Sequence, residues 1–303
     1  MPFSFELFPP RNAAAESALA GVVRELIDAG PEFVSVTYGA NGSSRDSSLA
    51  VLDSLLALGV NPMAHLTCVG LTVAEASRLV RQFLDAGITK FLALRGDPPA
   101  GSTEVVLGDL RTAGELVQLI HRVQAERVPY SESPLPGLPH ARKVALAKPV
   151  DVAVAAFPNG HPSSDPSRRK DIDALFAKQV AGATLAITQL FWDPHDWTRF
   201  TELAASRGVT IPITAGLVVP TSLRRLVRSC ELAGERPPAG LLQKLENASS
   251  PEDAEKIGID FTVAMLDHLI DAGVPGVHLY TFNQHRASLA VLDGIGALRQ
   301  GAV

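Results

Sequence analysis

The 303-residue chain is poor in cysteine, with only Cys68 and Cys230. Two thiols cannot build a disulfide framework or a Cys-rich zinc site, and their scarcity predicts a reducing compartment. Positive charge is not in excess either. Against 27 Lys and Arg stand 32 Asp and Glu, a net charge of −5, which leaves no electrostatic footprint for DNA or RNA. No apolar run reaches the roughly 18 residues a membrane-spanning helix needs. The first residues, MPFSFELFPPR, show no basic leader and no apolar signal core before their double proline. The expectation is a soluble, cytoplasmic protein that binds neither nucleic acid nor membrane. Four motifs are also missing. Without G-x-G-x-x-G after the first strand, and without a Walker A sequence, a doubly wound nucleotide-binding sheet loses its usual signature. The eight histidines show no H-E-x-x-H or other metal spacing, so no metal is predicted. The absence of G-x-S-x-G argues against a serine hydrolase.

What is present is a large apolar fraction, 46% hydrophobic against 19% charged residues, enough for a sizeable core. Short β-rich runs alternate with helical patterns. The predicted strands are Phe3–Phe8, Phe33–Tyr38, Pro62–Cys68, Phe91–Arg95, Val150–Phe157, Leu185–Phe191, Ile211–Leu217 and Val277–Phe282. Thr72 and Glu75 stand at capping-box spacing, and Asp165-Pro166 reads as an N-cap with proline at the first helical position. Gly30, Gly59, Gly87 and Gly273 each follow a helical stretch, where a left-handed residue is favoured. Eight strands alternating with helices predict an α/β fold, a single (β/α)8 TIM barrel over 1–303. The Pro-rich stretch 129–149 is expected to be an irregular insertion at the bottom face, away from catalysis.

Barrel chemistry sits at the C-terminal ends of the strands. Those ends carry Glu6, Thr37-Tyr38, His65, Thr67, Arg95-Gly96-Asp97, His161, Gln189, Tyr280 and Asn283. Converging donors and carboxylates describe a small-molecule site. Glu6 lies in the apolar run Phe3–Phe8, where burial raises a carboxyl pKa and suits it to general acid work. A Glu on the solvent face of an edge strand is the other reading, and a closed barrel has no edges. Arg95 and Asp97 also read as a simple ion pair closing a strand. His65 alone reads more readily as a hydrogen-bonded core histidine, and His161 is ambiguous. Cys68 reads as an inert buried thiol.

These residues fall in blocks that resemble the methylenetetrahydrofolate reductase family. The blocks are SFELFPPR (4–11), FVSVTYGA (33–40), AHLTC (64–68), LALRGDPP (92–99), AITQLFWD (186–193) and HLYTFN (278–283). The resemblance implies a (β/α)8 barrel that reduces 5,10-methylenetetrahydrofolate to 5-methyltetrahydrofolate with NAD(P)H, NADH foremost, and with FAD as the family's cofactor. It implies Glu6 as general acid and Asp97 as the carboxylate that steadies the substrate cation. Gln189, Phe191 and Tyr280 correspond to substrate contacts. Thr37, Tyr38, His65, Arg95, Gly96, His161, Asp171 and Lys178 correspond to flavin contacts. A homo-oligomer is also implied as possible.

The chain departs from the family at several positions, two of them on one helix. Where the family places Asn and Arg against the flavin's polar tail, this sequence has Ala174 and Ala177. An arginine that meets the folate tail is replaced by Gln284. Two lost charge-assisted contacts predict FAD held weakly or not at all, with hydride passing directly from NAD(P)H to the folate; the counter-reading is that Arg168, Arg169 and Lys170 at the same helix's start, with Lys178, supply substitute charge. The alternatives are a non-catalytic folate- or NADH-binding regulator and another pterin-binding barrel enzyme. A buried acid at Glu6 is unnecessary for binding alone.

Overall fold

A computed structural model of the chain describes residues 1–37, 45–96, 108–127, 131–135, 138–145, 150–161 and 169–300. Tyr38, Asp97 and the Asp165-Pro166 cap lie outside these residues.

Eight parallel strands close a barrel. They are β1 (Phe3–Leu7), β2 (Phe33–Val36), β3 (Pro62–Thr67), β4 (Lys90–Leu94), β7 (Asp151–Ala156), β8 (Leu185–Thr188), β9 (Ile213–Leu217) and β10 (Val277–Tyr280). Their order around the barrel is β1-β10-β9-β8-β7-β4-β3-β2, so chain order is spatial order and β10 closes on β1. Helices α1 (Ala13–Asp28), α2 (Arg45–Ala57), α3 (Val73–Asp85), α4 (Ala113–Arg127), α5 (Arg169–Val180), α6 (Pro194–Ser206), α7 (Leu223–Ala233), α8 (Ala239–Glu246), α9 (Pro251–Asp271) and α10 (Arg286–Gly294) surround it. All eight expected barrel strands form. Local signals explain several helix ends. Thr72 and Glu75 make the reciprocal capping box of α3. Asp193 caps α6 ahead of Pro194, and Ser250 caps α9 ahead of Pro251. Helix α8 has no counterpart among the predicted elements. At eight residues it is too short for a clear period, and it forms because Leu241 and Leu245 bury into a satellite apolar cluster with Trp192, Leu226 and Cys230.

The stretch 129–149, expected to be irregular, contains an antiparallel hairpin of β5 (Ser131–Leu135) and β6 (Leu138–Ala145). Its prolines read as loop residues in the sequence. In a two-stranded sheet every strand is an edge, so a proline without an N–H is tolerated there. The hairpin lies between α4 and β7, which puts it at the N-terminal end of the barrel strands.

Side chains alternate across the barrel wall with the two-residue period of a strand. On β1, Phe3, Phe5 and Leu7 point outward into the main core beneath the helices. Ser4 and Glu6 therefore point inward. The lower interior is an apolar layer of Phe33, Met63, Leu92, Ala153 and Ile187. Above it the interior turns polar, with Ser35, His65 and His278 all buried. Among the described residues no helix is long and apolar enough to cross a membrane. Nor does any group of three or more His, Cys, Asp or Glu among them come together as metal ligands.

Candidate active site

Three strand ends bring the acid and its neighbours together. In the ladders, Glu6 pairs with Tyr280 of β10 on one side and with Ser35 of β2 on the other. The Glu6 side chain is 12% exposed, and its Oε2 lies 3.7 Å from Nε2 of His65 on β3. Burial pushes the Glu6 carboxyl up to about 8 and the His65 imidazole down to about 3. Near pH 7 both are neutral, so the contact is not an ion pair. His65 Nε2 is buried and has no hydrogen-bond partner among the described residues. The outcome is a protonated acid in a dry seat, facing the mouth, with little around it to stabilise its anion.

Beneath this pair lies His278, fully buried. Ser4 Oγ is 2.8 Å from its Nδ1 and Ser35 Oγ 3.4 Å from its Nε2. Its ring stacks on Phe33 at 5.7 Å and meets the Tyr280 ring edge-on at 5.3 Å. Burial, with His65 nearby, holds His278 neutral as well, down to about 3. Tyr280 donates its hydroxyl to the Thr188 carbonyl at 2.7 Å, and burial followed by the Glu6 charge raises its pKa. That phenol crosses Gly216 of β9. A Cβ at position 216 would stand 2.1 Å from Thr188 O and 2.7 Å from the Tyr280 hydroxyl, so only glycine leaves the path open.

A second group lies across the mouth, around β7 and α5. Lys178 donates to the Ala155 carbonyl at 2.8 Å, with its ammonium 6.0 Å from the centre of the Phe157 ring. Burial lowers it to about 8, with Asp171 opposing and Arg95 assisting. The His161 N–H donates to Asp171 Oδ2 at 3.3 Å, and its ring meets Phe157 edge-on at 4.9 Å. Arg95 is exposed at the end of β4. Gly96 takes a left-handed φ of 91°, and a Cβ there would meet Val69 Cγ2 at 2.5 Å. Ala174 and Ala177 are both exposed on α5. Thr37 ends β2, with its N–H on the Leu7 carbonyl at 3.0 Å.

The substrate-contact candidates separate. Gln189 is half-buried at the end of β8; its Oε1 accepts the Leu190 N–H at 2.9 Å. Tyr280 stands beside Glu6. Phe191 is packed in the main apolar core and is only 1% exposed. Two residues of the site, His278 and Gly216, are absent from the candidates that the sequence offers. The period-two parity of His278 with Tyr280 points His278 inward and is the signal that could have found it. Gly216 carries no such signal, because its need arises from Tyr280, a distant residue.

A closed barrel of eight parallel strands, with a carboxyl shifted up by burial at its C-terminal mouth, defines an α/β barrel protein of the (β/α)8 class. The chain belongs to the methylenetetrahydrofolate reductase family, whose model matches residues 1–296. It is 30% identical over 295 residues to the 5,10-methylenetetrahydrofolate reductase of Escherichia coli K12, covering 97% of this chain and 90% of that one. It is 29% identical to a probable methylenetetrahydrofolate reductase (NADH) of rice, Oryza sativa subsp. japonica, covering 99% of this chain but 49% of that protein. Among solved structures, a Clostridium thermocellum protein described as binding two copies of 5-methyl-5,6,7,8-tetrahydrofolic acid aligns with TM-score 0.58. It shares 14% identity over 99% of this chain and 94% of its own. A dihydropteroate synthase of Coxiella burnetii, in complex with pteroic acid, aligns at 0.50 with 10% identity over 99% and 92%. These two share the barrel fold.

Proposed function

We propose that this protein reduces 5,10-methylenetetrahydrofolate to 5-methyltetrahydrofolate with NAD(P)H, and that Glu6 is the general acid. The observation that carries the reading is the neutral carboxyl of Glu6 at the barrel mouth, pushed up to about 8 by burial. Opening the methylene bridge needs a proton on N10 of the folate. A carboxyl that is still protonated near neutral pH can donate it. The C–N10 bond then breaks, and the resulting N5 iminium cation accepts hydride. The nicotinamide gives up that hydride and leaves as NAD(P)+. Asp97, beside the pterin in the family's arrangement, would stabilise the cation by its charge. Gln189 would hydrogen-bond the pterin and Tyr280 would line the site, whereas Phe191, sealed in the main core, would not touch the substrate.

Two positions on α5 fit FAD poorly, although Arg169 and Lys170 stand at that helix's start. A diphosphate needs charge-assisted donors. On α5 the outward positions Ala174 and Ala177 offer methyl groups. The Lys178 ammonium is engaged by the Ala155 carbonyl, and Asp171 accepts the His161 N–H. We therefore assign FAD a weak place or none, with NAD(P)H as the direct hydride donor. Direct transfer is chemically sound when nicotinamide and iminium carbon are held in contact.

The test uses the purified protein. Its visible spectrum is recorded, FAD is titrated in, and NADH oxidation is followed with and without methylenetetrahydrofolate. The expected result is a colourless protein that consumes NADH only with the folate and does not respond to added FAD. Stoichiometric, tightly held flavin would overturn the cofactor assignment. Folate binding without NADH consumption would instead mean a regulator or a different pterin-binding barrel.

A further inference from the structure

Two adjacent residues just after β10, Phe282 at φ 50° and Asn283 at φ 58°, are the non-glycine residues with positive φ among those described. Asparagine tolerates this left-handed region better than other L-residues, whereas a bulky aromatic does not. Such strain persists only where surrounding contacts over-determine it, and it gathers at functional sites.

The contacts that hold it lead to Glu6. Phe8 lies one residue past β1 and is followed by Pro9 and Pro10, which have no N–H to continue a ladder. The β1–β10 pairing stops at Glu6 and Tyr280, so the Phe8 peptide groups need another partner. Asn283 supplies both halves. The Phe8 N–H donates to Asn283 Oδ1 at 2.8 Å, and Asn283 Nδ2 donates to the Phe8 carbonyl at 2.8 Å. The side-chain amide thus stands in for the missing strand peptide. One step back, Thr281 Oγ1 donates to the Glu6 carbonyl at 2.7 Å and accepts the Asn283 N–H at 3.1 Å. The rings of Phe8 and Phe282 stack at 5.7 Å, and the Arg225 guanidinium lies 5.1 Å from the Phe282 centroid.

We propose that Asn283 is a positioning residue for Glu6, its side-chain amide clasping the Phe8 main chain so that the acid is held in its seat beside His65 and Tyr280. The inference rests on Glu6 being the proton donor. With Glu6 O and both Phe8 peptide groups pinned, the main chain of residues 6–8 is fixed, and the Glu6 side chain starts from one defined position beside His65. The left-handed turn at 282 and 283 is what brings the amide to Phe8. The titratable groups that face Glu6 from the adjoining strands are His65 on β3 and Tyr280 on β10, with His278 behind them. All three stay neutral around pH 7, so a change in the Glu6 titration reports on its own exposure.

The experiment is a pH–rate profile of NADH oxidation with methylenetetrahydrofolate, between about pH 6 and 9, where a raised carboxyl titrates. Asn283→Gly keeps the left-handed backbone and deletes the amide. Its turnover is expected to fall on the order of 10²-fold, as for a misplaced catalytic group, with KM for the folate changing less. The limb set by Glu6 should move to lower pH, because a released carboxyl reaches water. Thr281→Val, close in shape, removes the second anchor and should move the limb the same way. In single turnover, the Glu6→Gln/Asn283→Gly double variant should be no slower than Glu6→Gln alone, because Asn283 acts through Glu6. An Asn283→Gly protein with wild-type turnover and an unmoved limb overturns the proposal. So does a rate loss with an unmoved limb, or a double variant slower than Glu6→Gln. If Asn283→Gly does not fold, Thr281→Val takes its place in each measurement, and an unmoved limb there overturns the proposal equally. Wild-type turnover by Glu6→Gln would instead sink the parent reading, which separates the two failures.

Discussion

Around Glu6, polar groups face one another at close range in a dry setting, whereas along α5 the mouth presents methyl groups to solvent. On the β1–β3–β10 side, the acid, two neutral histidines and a half-buried tyrosine are held by ladders, hydrogen bonds and ring contacts. On the β7–α5 side, Lys178 is engaged by main chain, and Ala174 and Ala177 are exposed. The two regions differ in kind: one encloses a neutral carboxyl among rings and hydroxyls, the other is a helix face with alanine at two exposed positions. Under the proposed function, the first region would deliver the proton and the second offers no polar side chain at positions 174 and 177 for a diphosphate. A raised carboxyl pKa also costs stability, so keeping Glu6 buried makes sense where proton donation is used.

The contrast can be broken most strongly at the acid. Glu6→Gln keeps size and hydrogen bonding but has no proton to give, and turnover should drop about 10²–10⁴-fold with the fold intact. NADH oxidation alongside a thermal melt checks it; near-normal turnover would remove Glu6 from the mechanism. Next comes the opposite side. Ala174→Asn combined with Ala177→Arg restores two polar anchors, each worth roughly 1.5–3 kcal/mol. FAD should then bind at least about 10²-fold more tightly, read by quenching of flavin fluorescence. An unchanged affinity would show that α5 does not face the flavin tail.

A third test sharpens the comparison through pH. The folded state holds the Glu6 proton more tightly than the unfolded chain, with a pKa about 8 against an ordinary 4.5. Wild-type stability is therefore lost as pH rises from 4.5 through 8. Glu6→Gln removes that loss and should be more stable than wild type by roughly 2–4 kcal/mol at pH 8, with the gap closing toward pH 4.5. Denaturant melts at several pH values measure it. His65 and His278, lowered from 6.5 to about 3, give the opposite slope. Their contribution is complete above 6.5 and is lost as pH falls toward 3, an acid limb that Glu6→Gln should leave in place. The smallest effect is expected at the other face. Shortening the β5–β6 hairpin should change turnover by less than about twofold, because the bottom of a barrel serves stability rather than chemistry. A large loss of activity at unchanged melting temperature would contradict that placement.

Much of the molecule is legible along the chain. The eight barrel strands are readable because each is a short apolar run between turn signals, and Glu6 stands out as a carboxylate inside one of them. The hairpin hides behind prolines that carry the signature of a loop, and α8 behind a length too short to show its period. His278 does not stand out as a site residue even though it sits two positions from Tyr280. The αL pair at 282 and 283 leaves little trace in the sequence, since only Asn283 is a residue that favours the region and neither is glycine.

By itself, the sequence determined the barrel, the place of Glu6 inside an apolar strand and the alanines at positions 174 and 177. Those follow from local periodicity and residue chemistry, which are written residue by residue. Only the tertiary structure decided what surrounds the acid. The Asn283 amide reaches Phe8 across 275 positions of sequence, and His65 comes within 3.7 Å of Glu6 from another strand. Barrel closure and strand register set those distances. Burial by several strands at once, which no stretch of chain encodes alone, keeps the Glu6 carboxyl neutral.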